Sequence, residues 1–347
     1  MTNFISTQYL SSSLQLSIMK LQTNLATAQA ESTSGEYADL GLQLGAQAGQ
    51  EISLQNENGM LQTYTSTNSS LATNMSTTQT ALSTLQTNAQ NALNNLTEWS
   101  GEPDAGSQLQ ELGSSGLQSL VSTANTSVGG QYVFGGINTG VAPLADPTVA
   151  QAATQSAFSS YLSGLAPPAT PQTVTATQMQ TFLASPAFTS QFQEPAWSAA
   201  GSNWSAASST NISSNISPTE TITTSTNANQ SGFRQLAQAY TMLNEFTGTS
   251  INSAALQVVA NQASSLISQA VTGLITTQAT IGSAQTQVTD ANTNMSAQMT
   301  ILQTQIGSLD NVNAYQTATQ VSSLTTQIQT AYSLTAELQK LSLVNYL

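Results

Sequence analysis

Histidine and cysteine are both missing from this chain, and lysine and arginine together number 3 in 347 residues. The first absence removes the commonest general base and metal ligand; the second removes thiolate nucleophiles and disulfides. A serine nucleophile would have to be activated by Lys20, Lys340 or a carboxylate. The densest acidic group, Glu98, Glu102 and Asp104, flanks Gly101 and Pro103. Solvated residues at a helix end explain that group more simply than a carboxylate pair for glycoside hydrolysis. The expectation is a non-enzymatic chain with no catalytic residues, no cofactor and no metal.

Charge of either sign is scarce. Only 5% of residues are Asp, Glu, Lys or Arg, against about 25% in an ordinary soluble domain. Ser, Thr, Asn and Gln take their place, and amides and hydroxyls cost less to desolvate than ions. Such a surface suits lateral association. The net charge of -13 excludes nucleic acid as a partner, because phosphate neutralisation requires clustered cations. It also disfavours docking on an anionic membrane. No run of about 18 apolar residues is present, so no membrane insertion is expected. Residues 1–8, Met-Thr-Asn-Phe-Ile-Ser-Thr-Gln, lack the basic and apolar regions of a cleaved secretory signal.

The chain does have apolar spacing of 3 and 4, concentrated towards its two ends. Leu14, Ile18, Leu21, Leu25 and Ala28 form a narrow heptad seam that stops at Ser32-Thr33-Ser34-Gly35. A longer series runs through Leu61, Tyr64, Asn68, Leu71, Met75, Thr78, Leu82, Leu85, Ala89, Ala92 and Leu96. A third helix is expected from Leu109 to about Thr126. In the C-terminal third, Leu266, Ala270, Thr277, Ile281, Ala284, Val288, Ala291, Met295, Leu302 and Leu309 repeat the pattern, followed by Val321, Leu324, Ile328, Ala331 and Leu338. Several seam positions are polar, so each helix alone would be marginal and needs partners. The nearest partner for one terminus is the other, in an antiparallel pair.

Between about Gly140 and Gln230 the character changes. This stretch holds 8 of the 9 prolines and two of the three tryptophans, Trp197 and Trp204. Gln151–Gly164 reads as a short helix and Thr219–Thr226 as a strand or loop. The fold class expected is mainly α: long antiparallel terminal helices forming a coiled-coil rod, with an inserted mixed α/β or loop-rich middle domain. The divisions are 1–60 with 305–347 as a terminal assembly region, 61–140 with 235–304 as a rod, and 141–234 as an exposed domain. Trp197 and Trp204, with Glu194 and Glu220, could form a glycan-binding or glycan-cleaving site, but core anchoring is the simpler reading.

Glycine marks two further places. Gly41, Gly45 and Gly49 have the GxxxG spacing of membrane helix pairs, but Gln43, Gln47 and Gln50 exclude lipid, leaving a loop or a closely packed turn. Gly129-Gly130 and Gly135-Gly136 bracket Gln131-Tyr132-Val133-Phe134, which predicts a short strand between sharp turns.

Several segments resemble the bacterial flagellin superfamily. Ala30-Glu31-Ser32-Thr33-Ser34-Gly35-Glu36-Tyr37-Ala38-Asp39-Leu40-Gly41-Leu42 is similar to the stretch after that family's first helix. Gln131 to Thr139, with Tyr132, Phe134, Gly135 and Gly136, looks like the aromatic-Gly-Gly turn of its hook-associated branch. Leu309 to Tyr315 resembles the acidic turn before the last helix. Leu341-Ser342-Leu343-Val344-Asn345-Tyr346-Leu347 is similar to that branch's C-terminus. The resemblance covers about 1–140 and 235–347, and its termini carry fewer Arg and Asp residues than the family pattern. It implies a structural flagellar subunit joining hook to filament, or alternatively a filament flagellin. Extracellular, uncleaved export through the flagellar type III apparatus would follow. Its partners would be copies of itself, other axial proteins (hook-associated proteins and flagellin) and an export chaperone. Packing would fall to the seam residues above together with Leu341, Leu343 and Tyr346.

Overall fold

The computed structural model describes residues 7–99, 105–199, 201, 204–248 and 251–344. Helices α1 (Thr7–Ser34), α2 (Leu40–Leu44), α3 (Ala48–Glu98) and α4 (Ala105–Ala124) come first. A hairpin of β1 (Ser127–Val128) and β2 (Gln131–Tyr132) follows, then α5 (Thr148–Ser163), α6 (Ala176–Ala184) and α7 (Pro186–Thr189). A second hairpin, β3 (Ser213–Ser217) with β4 (Glu220–Thr223), precedes α8 (Ser231–Phe246), α9 (Ser253–Asp310) and α10 (Ala314–Val344). Both hairpins are antiparallel, Ser127 facing Tyr132 in the first and Ser214 facing Ile222 in the second. The mainly helical class read from the seams is the class observed.

Threonine and serine are poor interior helix residues because their hydroxyls compete for backbone partners. Here the hydroxyls are used within the helices themselves. Along α3 the side chains of Thr67, Thr73, Thr77, Thr80 and Thr84 each donate to the carbonyl four residues earlier, at 3.0–3.1 Å. In α9 Thr276, Thr280, Thr289 and Thr293 do the same. These helix surfaces therefore offer water fewer donors than their Thr content implies, with almost no charge in compensation.

The chain divides into two compact units. The first contains the residues up to Gln62 and those from Ser296 onward; the second runs from Thr63 to Met295. The first is built on α1 packed along α10. The groove that brings Ala28 and Glu31 beside Thr317 and Gln320 and the one that brings Leu14 beside Ala331 and Leu334 show that the two helices run antiparallel. Backbone pairing closes one end, where Tyr37 N donates to Asp310 O and Val312 N to Gly35 O, both at 2.9 Å.

The second unit has one continuous core. It joins Leu82, Leu85, Ala89 and Leu96 of α3 to Leu117 and Leu120 of α4, Phe233 and Leu243 of α8, and Ile267 and Leu274 of α9. Phe158, Phe182, Phe188 and Phe192 belong to the same core, so the described residues of 141–234 share the core of the rod helices. Prolines and turns in this stretch mark connections between short helices rather than a boundary.

Two readings need correction. The GxxxG stretch is helical, since Gly41 lies in α2 and Gly49 in α3, with a turn at Gly45. It is also open: a side chain built at Gly45 or Gly49 would meet nothing within 4 Å. Asp39 explains the helix, because its carboxylate accepts from Leu42 N at 2.9 Å and caps α2. The other correction is the boundary at 234, which falls inside α8: Phe233, on the exposed-domain side of it, and Leu236, Tyr240 and Leu243, on the rod side, are buried at one helical spacing.

Candidate assembly surface

In the first unit the α1 seam lies as the spacing predicts. Ile18 and Ala28 are buried, and Leu14, Leu21 and Leu25 half-buried. On α10, Leu324 and Ile328 are buried and Leu338 half-buried. The backbone of Leu341 and Leu343 continues α10, but their side chains and Tyr346 lie outside the described residues, as do Glu102 and Asp104.

The other side of α1 lies outside the seam. At roughly 100° per residue, Tyr9, Leu16 and Met19 fall about 140–220° away from the seam. They are 74%, 65% and 55% exposed. Helix α1 is thus apolar on two faces, of which the fold covers one. Leu42, Ile52, Met60, Ile301, Tyr315, Tyr332 and Leu334 are also exposed in this unit. Among the described residues, 11 of the 15 large exposed apolar side chains belong to the first unit, which holds about a third of the chain. An exposed Leu is ordinary, but a concentration of this kind marks a surface that associates. The signal was present in the spacing of Tyr9, Leu16 and Met19. It was masked because a single seam accounts for a helix pair, and these residues lie outside it.

The second unit buries its named residues instead. Met75, Leu82 and Leu85 are fully buried and Leu71 half-buried. The polar seam position Asn68 is fully buried; its Nδ2 donates to Ile216 O at 2.7 Å and Asn292 Oδ1 at 2.8 Å. One amide therefore ties α3, the second hairpin and α9 together. Asn68→Ala is expected to cost about 1–3 kcal/mol in chemical denaturation, because it strands buried partners. A loss below about 0.5 kcal/mol would show that the amide fixes no register.

The aromatic-Gly-Gly turn is a keystone of this unit. Phe134 is fully buried and meets the Phe233 ring at 5.1 Å and 61°. Around it, Ser208 N donates to Gly135 O, Ile137 N to Thr210 O, and Ala228 N to Phe134 O. Gly136 has φ 60°, and a Cβ there would lie 2.3 Å from Ser208 O. Tyr132 N reaches across the turn to Thr139 O at 2.8 Å.

Trp197 and Trp204 stack at 5.3 Å and 15°, both fully buried, with Trp197 Nε1 donating to Asn229 Oδ1. Neither ring face is open to a sugar, and Glu194 Oε2 accepts from Ser198. Arg234 is held internally by Asn229 O and Phe192 O. Burial pushes the Tyr240 phenol above its ordinary range, and the Thr148 backbone amide lowers the Asp146 carboxyl. Neither group forms part of a reactive constellation. Among the described residues, no group of three or more acidic side chains is placed to hold a metal, and no helix is long and apolar enough to cross a membrane.

Residues 5–139 match the bacterial flagellin N-terminal helical region, and residues 264–347 match the flagellin C-terminal helical region. The chain belongs to the bacterial flagellin family. This membership makes it a structural subunit of the bacterial flagellum. No curated protein matches the chain. A structure described as a flagellar hook-associated protein from Vibrio parahaemolyticus aligns with TM-score 0.52 at 11% identity, covering 76% of this chain and 97% of that one. Bacillus cereus FlgL aligns at TM-score 0.46 and 14% identity, over 74% and 99% of the respective chains. The first likeness establishes a shared fold. The two flagellin-region matches are separated by the α5–α8 stretch, which joins the helices in one core.

Proposed function

We propose that this flagellin-family chain is a hook-associated junction subunit, joining hook to filament through its terminal helices and doing no catalysis. The observation that carries the assembly part is the doubly apolar α1, one face packed in the α1–α10 pair and the other open. A filament flagellin needs the same open face, so the choice between the two roles rests elsewhere. The shared fold with a hook-associated chain supports the junction role, as does the resemblance of the turn at Tyr132–Gly136. In this reading residues 1–60 and 305–347 form the assembly region and 141–234 faces outward. Copies of the same chain and other axial proteins are its neighbours. An export chaperone and uncleaved type III export to the extracellular flagellum belong to the same reading.

Deleting the gene distinguishes the roles. A junction subunit leaves intact hooks with unattached flagellin shed into the medium, and in wild-type flagella the chain is a trace component by quantitative mass spectrometry. If sheared filaments consist mainly of this chain, it is a filament flagellin. Normal attached filaments in the deletion strain overturn the junction role.

A further inference from the structure

Methionine carries all the sulfur of this cysteine-free chain, and its exposure divides between the two units. In the second unit Met75, Met179, Met242 and Met295 are each 2% exposed or less. In the first, Met19 is 55% and Met60 45% exposed, and Met299 is half-buried. Both exposed methionines among the described residues therefore lie in the unit that holds the open face of α1. Met19 forms that face together with Tyr9 and Leu16. We propose that Met19 is an oxidation site that gates assembly: peroxide turns its thioether into a sulfoxide, and a chain so modified is not taken up into the flagellum. This rests on the reading of the open face of α1 as an assembly surface, to which it adds a chemical control.

The reaction needs no catalytic group. The thioether sulfur attacks hydrogen peroxide and the O–O bond breaks; one oxygen stays on sulfur and the other leaves as water. Sulfur is oxidised by two electrons and the peroxide is reduced by two. The product is a polar, chiral side chain in place of a flexible apolar one. In water the new oxygen is solvated. Against a neighbouring subunit it would have to be desolvated, whereas a thioether adapts readily to an irregular apolar surface.

The same oxidant does not reach the buried thioethers of the folded second unit, so the core is spared while the assembly face changes. Nor does the gate require α1 to be paired with α10 beforehand, since an unpaired α1 exposes Met19 further.

Peptide mapping of the full-length protein after hydrogen peroxide treatment tests the site. Sulfoxide is expected at Met19 and Met60 at least about tenfold faster than at Met75, Met179 and Met242. In intact flagella Met19 should be protected, because a neighbour covers it. Met19→Gln, a polar stand-in for the sulfoxide, should lower incorporation into sheared flagella by about tenfold or more, and Met19→Leu should incorporate as wild type. When sheared flagella regrow in sublethal peroxide, incorporation should fall for wild type and hold for Met19→Leu. Equal oxidation of Met19 and the buried methionines overturns the proposal, as does a loss under peroxide that Met19→Leu shares. Normal incorporation of Met19→Gln overturns it too. If the double variant Leu16→Glu, Met19→Glu is then excluded from flagella, the surface stands without the gate; if it is also incorporated, both readings fail.

Discussion

Replacing Gly113 by Ala is expected to destabilise the second unit by about 3 kcal/mol or more, at the upper end of what overpacking produces. The reason lies in how α4 meets α8. A Cβ at Gly113 would sit 2.3 Å from Asn244 N and 2.7 Å from Tyr240 O, which are backbone atoms that no rotamer change can move. Gly106 and Gly116 meet the same helix region, against Thr247 O and the Tyr240 ring. The two helices therefore pack almost backbone to backbone, and one methyl group must drive them apart. That separation also opens the Phe233, Leu236 and Leu243 contacts that α8 makes with the core. Trp197 and Trp204 are buried in that core and report the transition. Guanidinium unfolding followed by their fluorescence should show the midpoint fall with the slope unchanged. An unchanged midpoint would mean that α4 and α8 are farther apart than described.

The second large effect is on assembly rather than stability. Leu16→Glu combined with Met19→Glu should leave the monomer's thermal unfolding unchanged, because both side chains are exposed and on the side of α1 opposite the seam. Incorporation into flagella should fall by at least about a hundredfold. Burying each apolar side chain in a neighbour contributes about 1.5–3 kcal/mol, and burying a carboxylate in its place adds an opposing desolvation cost. Two such changes exceed the ~2.7 kcal/mol that separates a hundredfold difference in occupancy. Immunoblots of sheared flagella and of the culture medium measure this directly. Wild-type incorporation would show that the open face of α1 is not an assembly surface. Ile18→Glu supplies the contrast: it lies in the buried seam and should damage the α1–α10 pair within the monomer itself.

The seams show how far a sequence of this kind can be read. Leu61, Asn68, Met75, Thr78, Leu82, Leu85, Ala89, Ala92 and Leu96 are all buried, including the two polar members. Spacing located them because a long helix repeats its core face every three or four residues. Thr78 succeeds at a core position because its hydroxyl bonds Asn74 O within its own helix. The stretch from Gly140 to Gln230 was harder. Its helices are short: α6 has 9 residues and α7 has 4, too few for a period to stand out. What organises them is a set of non-local aromatic contacts, such as Phe158 with Phe246 at 4.8 Å and Phe182 with Phe246 at 5.5 Å. Those partners are distant in sequence, and spacing carries no information about them.

The sequence by itself determined the helical class, the paired termini, the covered face of α1 and the exclusion of thiol and imidazole chemistry. All of these follow from local periodicity or from residues that are simply absent. Only the tertiary structure decided that Trp197 and Trp204 are core and that the described residues of 141–234 share a core with the rod helices. Each of those depends on which distant segments meet, and burial is a property of the meeting rather than of the residue. The face of α1 bearing Tyr9, Leu16 and Met19 falls between the two. Its residues are written in the sequence, but whether the chain covers them itself or leaves them for a neighbour is settled only when α10 has taken the other side.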